Sequence, residues 1–291
     1  MGECFFCGDS SLAFVVDVSE SRGDFIKRFL EKDGLNTFDF SIVPVPALRD
    51  NATVIYIFAP SKRLVLADCN LIANNSIVFC TEFSSDVLAK FSEKNCTAIK
   101  LFDDELLAIA NAKLTAHGTL DILKKNYTLF ANSDICTLVL GAGRVGSATA
   151  RLLNSNNYNI DIATNDLVEH IVVQEFTNNV FNFARLDSFI VKQKYSCIIN
   201  TVPSVVLDKK RLAKIKRANS NCFIIDLASL PGGVDKLAAE TLGLHALHAL
   251  GVPTKHYPEL AANIMLQSIL KRVQKYIQQK ESSLATAKIK E

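Results

Sequence analysis

Three glycines, Gly141, Gly143 and Gly146, carry the spacing in this chain best able to specify a ligand. They follow a short apolar run at 135–140 (Ile-Cys-Thr-Leu-Val-Leu) and precede a helical stretch at about 144–153. In a strand–turn–helix of this kind the first glycine permits the tight turn. The second lets backbone approach a pyrophosphate, and the third lets helix pack close to strand. The helix start adds free N–H groups and a positive dipole end. Arg144 and Val145 complete the loop. The alternative is a glycine-rich turn that holds no nucleotide.

Further candidates lie just after the other strands of the same half. The second strand, 159–163, runs into Thr164, Asn165 and Asp166. An NAD-selective site puts an acid near this point, about 20 residues after the glycines, to bind the ribose 2′-hydroxyl. Position 164 is not acidic, and Asp166 lies far enough along to cap the next helix. The pattern leans toward NADP and leaves NAD open. The strand at 196–200 ends in Asn200-Thr201-Val202-Pro203-Ser204. Small polar groups and a proline suit the wall of a nicotinamide–ribose site, or a capped turn. The strand at 222–226 ends in Asp226, then Leu227, Ala228, Ser229, Leu230, Pro231, Gly232 and Gly233. A carboxylate closing an apolar strand must find donors. Asp226 is therefore either a general base or an acceptor for backbone N–H groups of the adjacent turn. The loop 251–258 brings Lys255 and His256, the nearest cations to this edge for an anionic substrate. On stretches preceding the glycine loop, Glu105, Asn111, Thr115, His117 and Gly118 would face the same crevice, and the His117 imidazole could shuttle a proton.

Positioning these residues requires alternating strands and helices. Strands are expected at 12–18, 38–43, 52–58, 76–80 and 97–101, with helices at 21–32 and 84–94 and Pro44 and Pro46 in a connection. Two helices follow, 103–112 and 115–125, the second capped by Thr115. A polar, turn-rich stretch at 126–134 marks a boundary. The second half repeats the alternation, with strands at 135–140, 159–163, 180–183, 196–200, 222–226 and 244–249, and helices at 144–153, 166–175, 185–193, 208–218 and 234–242. A long helix at 259–279 and a polar tail close the chain. The fold class is α/β: two Rossmann-like parallel-sheet domains, the second a doubly wound dinucleotide-binding domain. The expected division is 1–114, a substrate or assembly domain; 115–258, the NAD(P) domain; and 259–291, a helix packing back across the junction.

Composition narrows the function classes. The 291 residues are 49% hydrophobic and 21% charged, which specifies globular structure. A net charge of +2 gives no footprint for nucleic acid. The basic run at 209–217 has the spacing of a solvated helix face. There is no charged-then-apolar leader and no apolar run of about 18 residues, so a cytoplasmic, non-membrane protein is expected. Eight cysteines lie scattered, mostly in apolar runs, as buried free thiols do in a reducing compartment. Cys4 and Cys7 form the one close pair, with no second pair nearby, and no metal is expected.

Five stretches together resemble the A subunit of dipicolinate synthase. They are Asp104-Glu105 through Asn111 to Thr115-Ala116-His117-Gly118; Leu140 through Gly146; Asn200 through Ser204; Ile225 through Gly233; and Ala249 through Lys255. The run D-L-A-S-x-P-G-G is the most specific of them. The resemblance covers about residues 95 to 270 firmly and the start loosely. It implies a sporulation oxidoreductase that converts a dihydrodipicolinate-type dicarboxylate of the lysine pathway to dipicolinate. It also implies a nicotinamide cofactor and a flavoprotein-like second subunit; a homo-oligomer is expected too. In the family an arginine suited to a 2′-phosphate stands near the end of the second strand, where this chain has Asn165. Thr254, His256 and Tyr257 also depart from smaller or apolar residues. On this reading Gly141, Gly143, Arg144, Val145, Gly146, Thr164, Asn165, Asn200, Thr201, Val202, Pro203, Leu227 and Ala228 hold the cofactor. Thr115, Gly118, Ser204, Ser229, Gly232, Gly233 and Lys255 face the substrate, and His117 and Asp226 are the candidate proton carriers. The rivals are a shikimate- or hydroxyacid-type dehydrogenase and a regulatory protein that binds NAD(P) without turnover. Gly143→Asp puts a carboxylate where the pyrophosphate would lie. It is expected to abolish dinucleotide binding with little change in circular dichroism; unchanged affinity by cofactor titration would remove the site from this loop.

Overall fold

The computed structural model describes residues 11–41, 53–126 and 136–289, with side chains to residue 283. Cys4, Cys7, Pro44, Pro46, the expected boundary at 127–134 and Ile135 lie outside the described residues. Contacts group the chain into two units: Met1–Ala108 with Tyr257–Glu291, and Ile109–His256.

The first unit contains β1 (Leu12–Val16), α1 (Ser21–Lys32), β2 (Asn36–Asp39), β3 (Thr53–Ile57), α2 (Leu66–Cys69), β4 (Ile77–Cys80), α3 (Ser85–Glu93) and β5 (Thr97–Lys100). The strands form one parallel sheet in the order β2-β1-β3-β4-β5. Every residue of β1 is buried, as a sheet covered on both faces requires. Alternate residues go to opposite layers: Phe14 and Val16 join one core, Ala13 and Val15 the other. The long helix α11 (Pro258–Ile289) supplies Ala262, Met265, Leu266, Ile269 and Val273 to the core that holds Phe14, Ile26 and Leu30. Arg272 fixes it to the end of β5, donating to the carbonyls of Lys100 at 2.8 Å and Leu101 at 3.1 Å.

The expected pair of helices at 103–112 and 115–125 is a single helix, α4 (Glu105–Lys125). Nothing between 112 and 115 breaks it, and Thr115 is not a cap. Its hydroxyl donates to the Asn111 carbonyl at 2.9 Å, and that of Thr119 to Thr115 at 2.8 Å. Both are satisfied inside the helix by bonding one turn back. The expected loop at 251–258 is also partly helical, as α10 (Val252–His256).

The second unit contains β6 (Cys136–Leu140), α5 (Arg144–Ser155), β7 (Asn159–Ala163), α6 (Leu167–Val173), β8 (Asn179–Phe181), α7 (Leu186–Gln193), β9 (Cys197–Asn200), α8 (Lys209–Ala218), β10 (Phe223–Asp226), α9 (Lys236–Thr241) and β11 (His245–His248). All pairings are parallel, in the order β11-β10-β9-β6-β7-β8. This is the doubly wound dinucleotide-binding order, with its switch point between β6 and β9. Val139, Ile162, Ile199 and Ile225 pack in one layer, and Leu138, Leu140, Ile198 and Ile224 in the other. One polar side chain is buried in β7, Asp161. It accepts from Tyr195 Oη at 2.7 Å and Asn179 Nδ2 at 2.8 Å; burial, and then this contact, pushes the Tyr195 phenol far up.

Within this unit α4 lies directly on α10. A Cβ at Gly118 would stand 2.3 Å from Val252 Cγ1 and 3.3 Å from the His256 ring. Gly118→Val should therefore lower the melting temperature by an overpacking penalty of roughly 1–3 kcal/mol. Val252→Ala in the same chain should recover part of it. A thermal scan showing no loss in the single variant would contradict this packing.

Candidate functional site

The carboxyl ends of five strands form one row. Ala163 pairs with Leu140, Leu140 with Asn200, Asn200 with Asp226, and Asp226 with His248. The sequence-predicted loops after β6, β7, β9 and β10 all leave from this row.

Gly141 adopts φ +88°, a region that favours glycine, and its N–H donates to the Ala163 carbonyl at 2.8 Å. A Cβ there would also lie 2.6 Å from Thr201 Oγ1. At Gly146 a Cβ would meet the Gly141 carbonyl oxygen at 2.1 Å, so α5 can start this close to β6 only at a glycine. Gly143 is different. It is exposed, it is the residue before the first turn of α5, and an added Cβ would meet nothing nearer than the Glu169 carboxylate at 3.6 Å. That open side beside a helix start is the shape an anion needs. Arg144 is exposed and Val145 half-buried, while Ser147 Oγ closes the turn on the Ala142 carbonyl.

After β7, Asp166 is the cap of α6, accepting from Val168 N at 2.8 Å and Glu169 N at 2.9 Å. Asn165 Oδ1 accepts from Phe183 N at 3.1 Å. The acid beside the glycine loop is Glu169, which sequence reasoning missed. Buried Thr164 donates its hydroxyl to Glu169 Oε2 at 2.6 Å, and the other carboxylate oxygen is the one nearest Gly143. The first turn of α6 thus returns a carboxylate to the place the strand end leaves neutral.

Asn200 is buried. Its Nδ2 donates to Asp226 Oδ1 at 2.8 Å and to the Val202 carbonyl at 3.0 Å, and its Oδ1 accepts from Val202 N at 3.2 Å. Thr201 Oγ1 donates to the Leu140 carbonyl at 2.8 Å, tying this loop to the end of β6. Pro203 and Ser204 are exposed. Asp226 is 3% exposed. Besides Asn200 it accepts from Ala228 N at 3.2 Å, Gly233 N at 2.9 Å and Val234 N at 3.2 Å. Four donors occupy the carboxylate, which matches the backbone-acceptor alternative. Leu227 is half-buried, Ala228, Gly232 and Gly233 are buried, and Ser229 is exposed.

His248 was also not singled out by its sequence context. Its Nε2 lies 2.9 Å from the Ala228 carbonyl oxygen. A carbonyl only accepts, so Nε2 carries the hydrogen, and in the neutral ring Nδ1 is the acceptor. Thr115, His117 and Gly118 on α4 and Lys255 on α10 are not in the strand-end row. His117 and Lys255 are exposed, and Thr115 and Gly118 are buried. His256 Nδ1 lies 3.8 Å from Asp121. Among the described residues no cluster of three His, Cys, Asp or Glu could hold a metal ion. In the basic run on α8, Arg211 and Lys214 both pair with Asp187, at 3.3 and 3.2 Å.

No family model matches this chain. It is 28% identical over 265 residues to the dipicolinate synthase A subunit of Bacillus subtilis, covering 88% of this chain and 84% of that one. The chain is similar to the A subunit of dipicolinate synthase. The solved B. subtilis protein superposes with a TM-score of 0.74 at 20% identity, over 93% of this chain and 98% of that chain. Its counterpart from Bacillus halodurans gives 0.71 at 20% identity, over 89% and 96%. An L-alanine dehydrogenase shares the fold at 0.59 and 13% identity, over 94% and 92%. The fold is one shared with NAD(P)-dependent dehydrogenases.

Glu169→Gln removes the carboxylate nearest Gly143 while keeping an acceptor for Thr164. It should shift the ratio of NAD to NADP affinity toward NADP by roughly tenfold, about 1.4 kcal/mol. Titrating each dinucleotide separately checks this, and an unchanged ratio would place the adenosine ribose elsewhere.

Proposed function

We propose that this chain is an oxidoreductase of the dipicolinate synthase type, acting as its A component and converting a dihydrodipicolinate-type dicarboxylate to dipicolinate during sporulation. The observation that carries the reading is the strand-end row: an open glycine loop at the switch point, in register with Asn200 and the Asp226 loop. The match in sequence to the B. subtilis protein spans most of this chain and supports the same reading.

When bound, a nicotinamide dinucleotide supplies the hydride acceptor. The chain's own residues bind and orient. Gly141, Gly143 and Gly146, with Arg144, Val145 and the first turn of α5, hold the pyrophosphate. Thr164, Asn165 and Glu169 form the ribose wall. Asn200, Thr201, Val202, Pro203, Leu227 and Ala228 form the nicotinamide wall. Asp226 is a positioning residue, since four donors fill it and leave it no lone pair directed at a substrate. It fixes the turn that carries Ser229, Gly232 and Gly233, which with Ser204, Lys255, Thr115 and Gly118 make the substrate side. Proton acceptance falls to a histidine, His248 through Nδ1 or His117. The neutral strand end at Thr164 favours NADP; the Glu169 carboxylate weighs against a 2′-phosphate, so NAD is the preferred partner on charge.

The same reading puts the protein in the cytoplasm with a flavoprotein-like second subunit. It assigns 1–114 to a substrate or assembly domain, 115–258 to the cofactor domain and 259–291 to a C-terminal helix and tail. It also makes the chain a homo-oligomer, for which the exposed Leu167, Val168, Ile171 and Val172 of α6 offer an apolar face.

The decisive measurement is incubation of the purified chain with NAD or NADP and freshly generated dihydrodipicolinate, with and without the second subunit. Reduced cofactor appearing together with the ultraviolet absorbance of the pyridine product is the expected result. Turnover of a hydroxyacid or shikimate-type substrate instead, or cofactor binding without any turnover, would move the assignment to one of the two rivals.

A further inference from the structure

The first unit has a switch point of its own. Its order β2-β1-β3-β4-β5 sets β1 beside β3, with the chain leaving toward opposite edges. In open parallel sheets a ligand crevice lies outside the carboxyl ends at such a point. The two loops there are joined. Asp17 N donates to the Ile57 carbonyl at 2.9 Å, and Asp17 Oδ2 accepts from Ala59 N at 3.3 Å. Gly23 lets α1 begin hard against this loop: a Cβ there would stand 1.9 Å from the Asp17 carbonyl oxygen. No side chain caps α1.

Arg22 stands in that first turn and is only 3% exposed. Its Nε is buried and has no hydrogen-bond partner among the described residues. Burial pushes its pKa down to about 10, and Glu20 is the charge that opposes this. A buried guanidinium is ordinarily paired and saturated, because an unmet charged donor is costly. Nothing in the dinucleotide site uses it, and it lies on the other unit.

We infer that Arg22 and the uncapped start of α1 form a binding site for the carboxylate of a small organic acid. The planar fork suits a carboxylate, which takes two parallel N–H donors. Glu20 and Asp17 close by disfavour a doubly charged head such as hydrogenphosphate and tolerate the singly charged head of a carboxylate. The identity of the acid rests on the proposed reaction, which supplies a ring bearing two carboxylates; the site itself does not.

The test uses the full chain without dinucleotide. Calorimetric titration with dipicolinate and with benzene-1,3-dicarboxylate should show binding, and inorganic phosphate should bind far more weakly. Arg22→Gln should weaken the dicarboxylates at least tenfold. Arg22→Lys, which keeps the charge and loses the fork, should fall between. NADH titration should be unchanged in both variants, and Arg22→Met without ligand should melt no lower than wild type, since it removes an unpaired buried charge. If the Gln variant loses NADH binding as well, the Lys variant decides. Dicarboxylate affinity within twofold of wild type in the variants, or none in wild type, overturns the site, as does phosphate binding as tightly as the dicarboxylates. Arg22-dependent binding without any dipicolinate formation would instead sink the proposed reaction and leave this site standing.

Discussion

The hydrogen-bonded pair of Asp226 and Asn200 is the interaction on which the strand-end row depends. Both side chains are buried at the ends of adjacent strands, where an ion without partners would be costly. The Asp226 carboxylate meets this with four donors, one from Asn200 and three from the backbone of the turn after β10. Each is a hydrogen bond to an ionised group, stronger than a neutral one. Asn200 meanwhile holds its own turn through Val202. Two loops that would otherwise be free at a sheet edge are thereby fixed to each other. A Cβ at Gly233 would stand 2.2 Å from Asn200 Nδ2, so the arrangement also explains a glycine.

The glycine loop is fixed on the other side of Asn200 by the same economy of backbone and small polar groups. Thr201 reaches the Leu140 carbonyl by both its N–H and its hydroxyl. Gly146 admits the helix, Gly141 turns the chain, and Gly143 alone of the three is left open. Rigid walls around one open position are what a site needs to hold a cofactor in a productive orientation. The Thr164–Glu169 contact then gives that open position a charge of its own.

The two units treat buried charge in opposite ways. In the second, Asp226 and Asp161 are each saturated by named donors. In the first, Arg272 donates to two carbonyls and holds a helix in place, yet Arg22 keeps a buried Nε with no partner among the described residues. Thr137 and Thr149 also keep buried hydroxyls without a partner among the described residues, but Arg22 is the charged group of the three, and an unmet charged donor is the costlier exception.

Local sequence determined the βα rhythm, the glycine turn and the Asp166 cap, because each depends on residues within a few positions of one another. It misjudged α4, where Thr115 has the type of a cap but bonds back into the helix, and 251–258, where a short helix stood as a loop. It named Asp226 and Asn200 but not their contact, since strand register alone brings residues 26 positions apart to 2.8 Å. Glu169, His248 and Arg22 were invisible for the same reason. Their significance lies in what a helix turn, a neighbouring strand or a buried crevice sets against them, and only tertiary structure, through register, burial and desolvation, decides that.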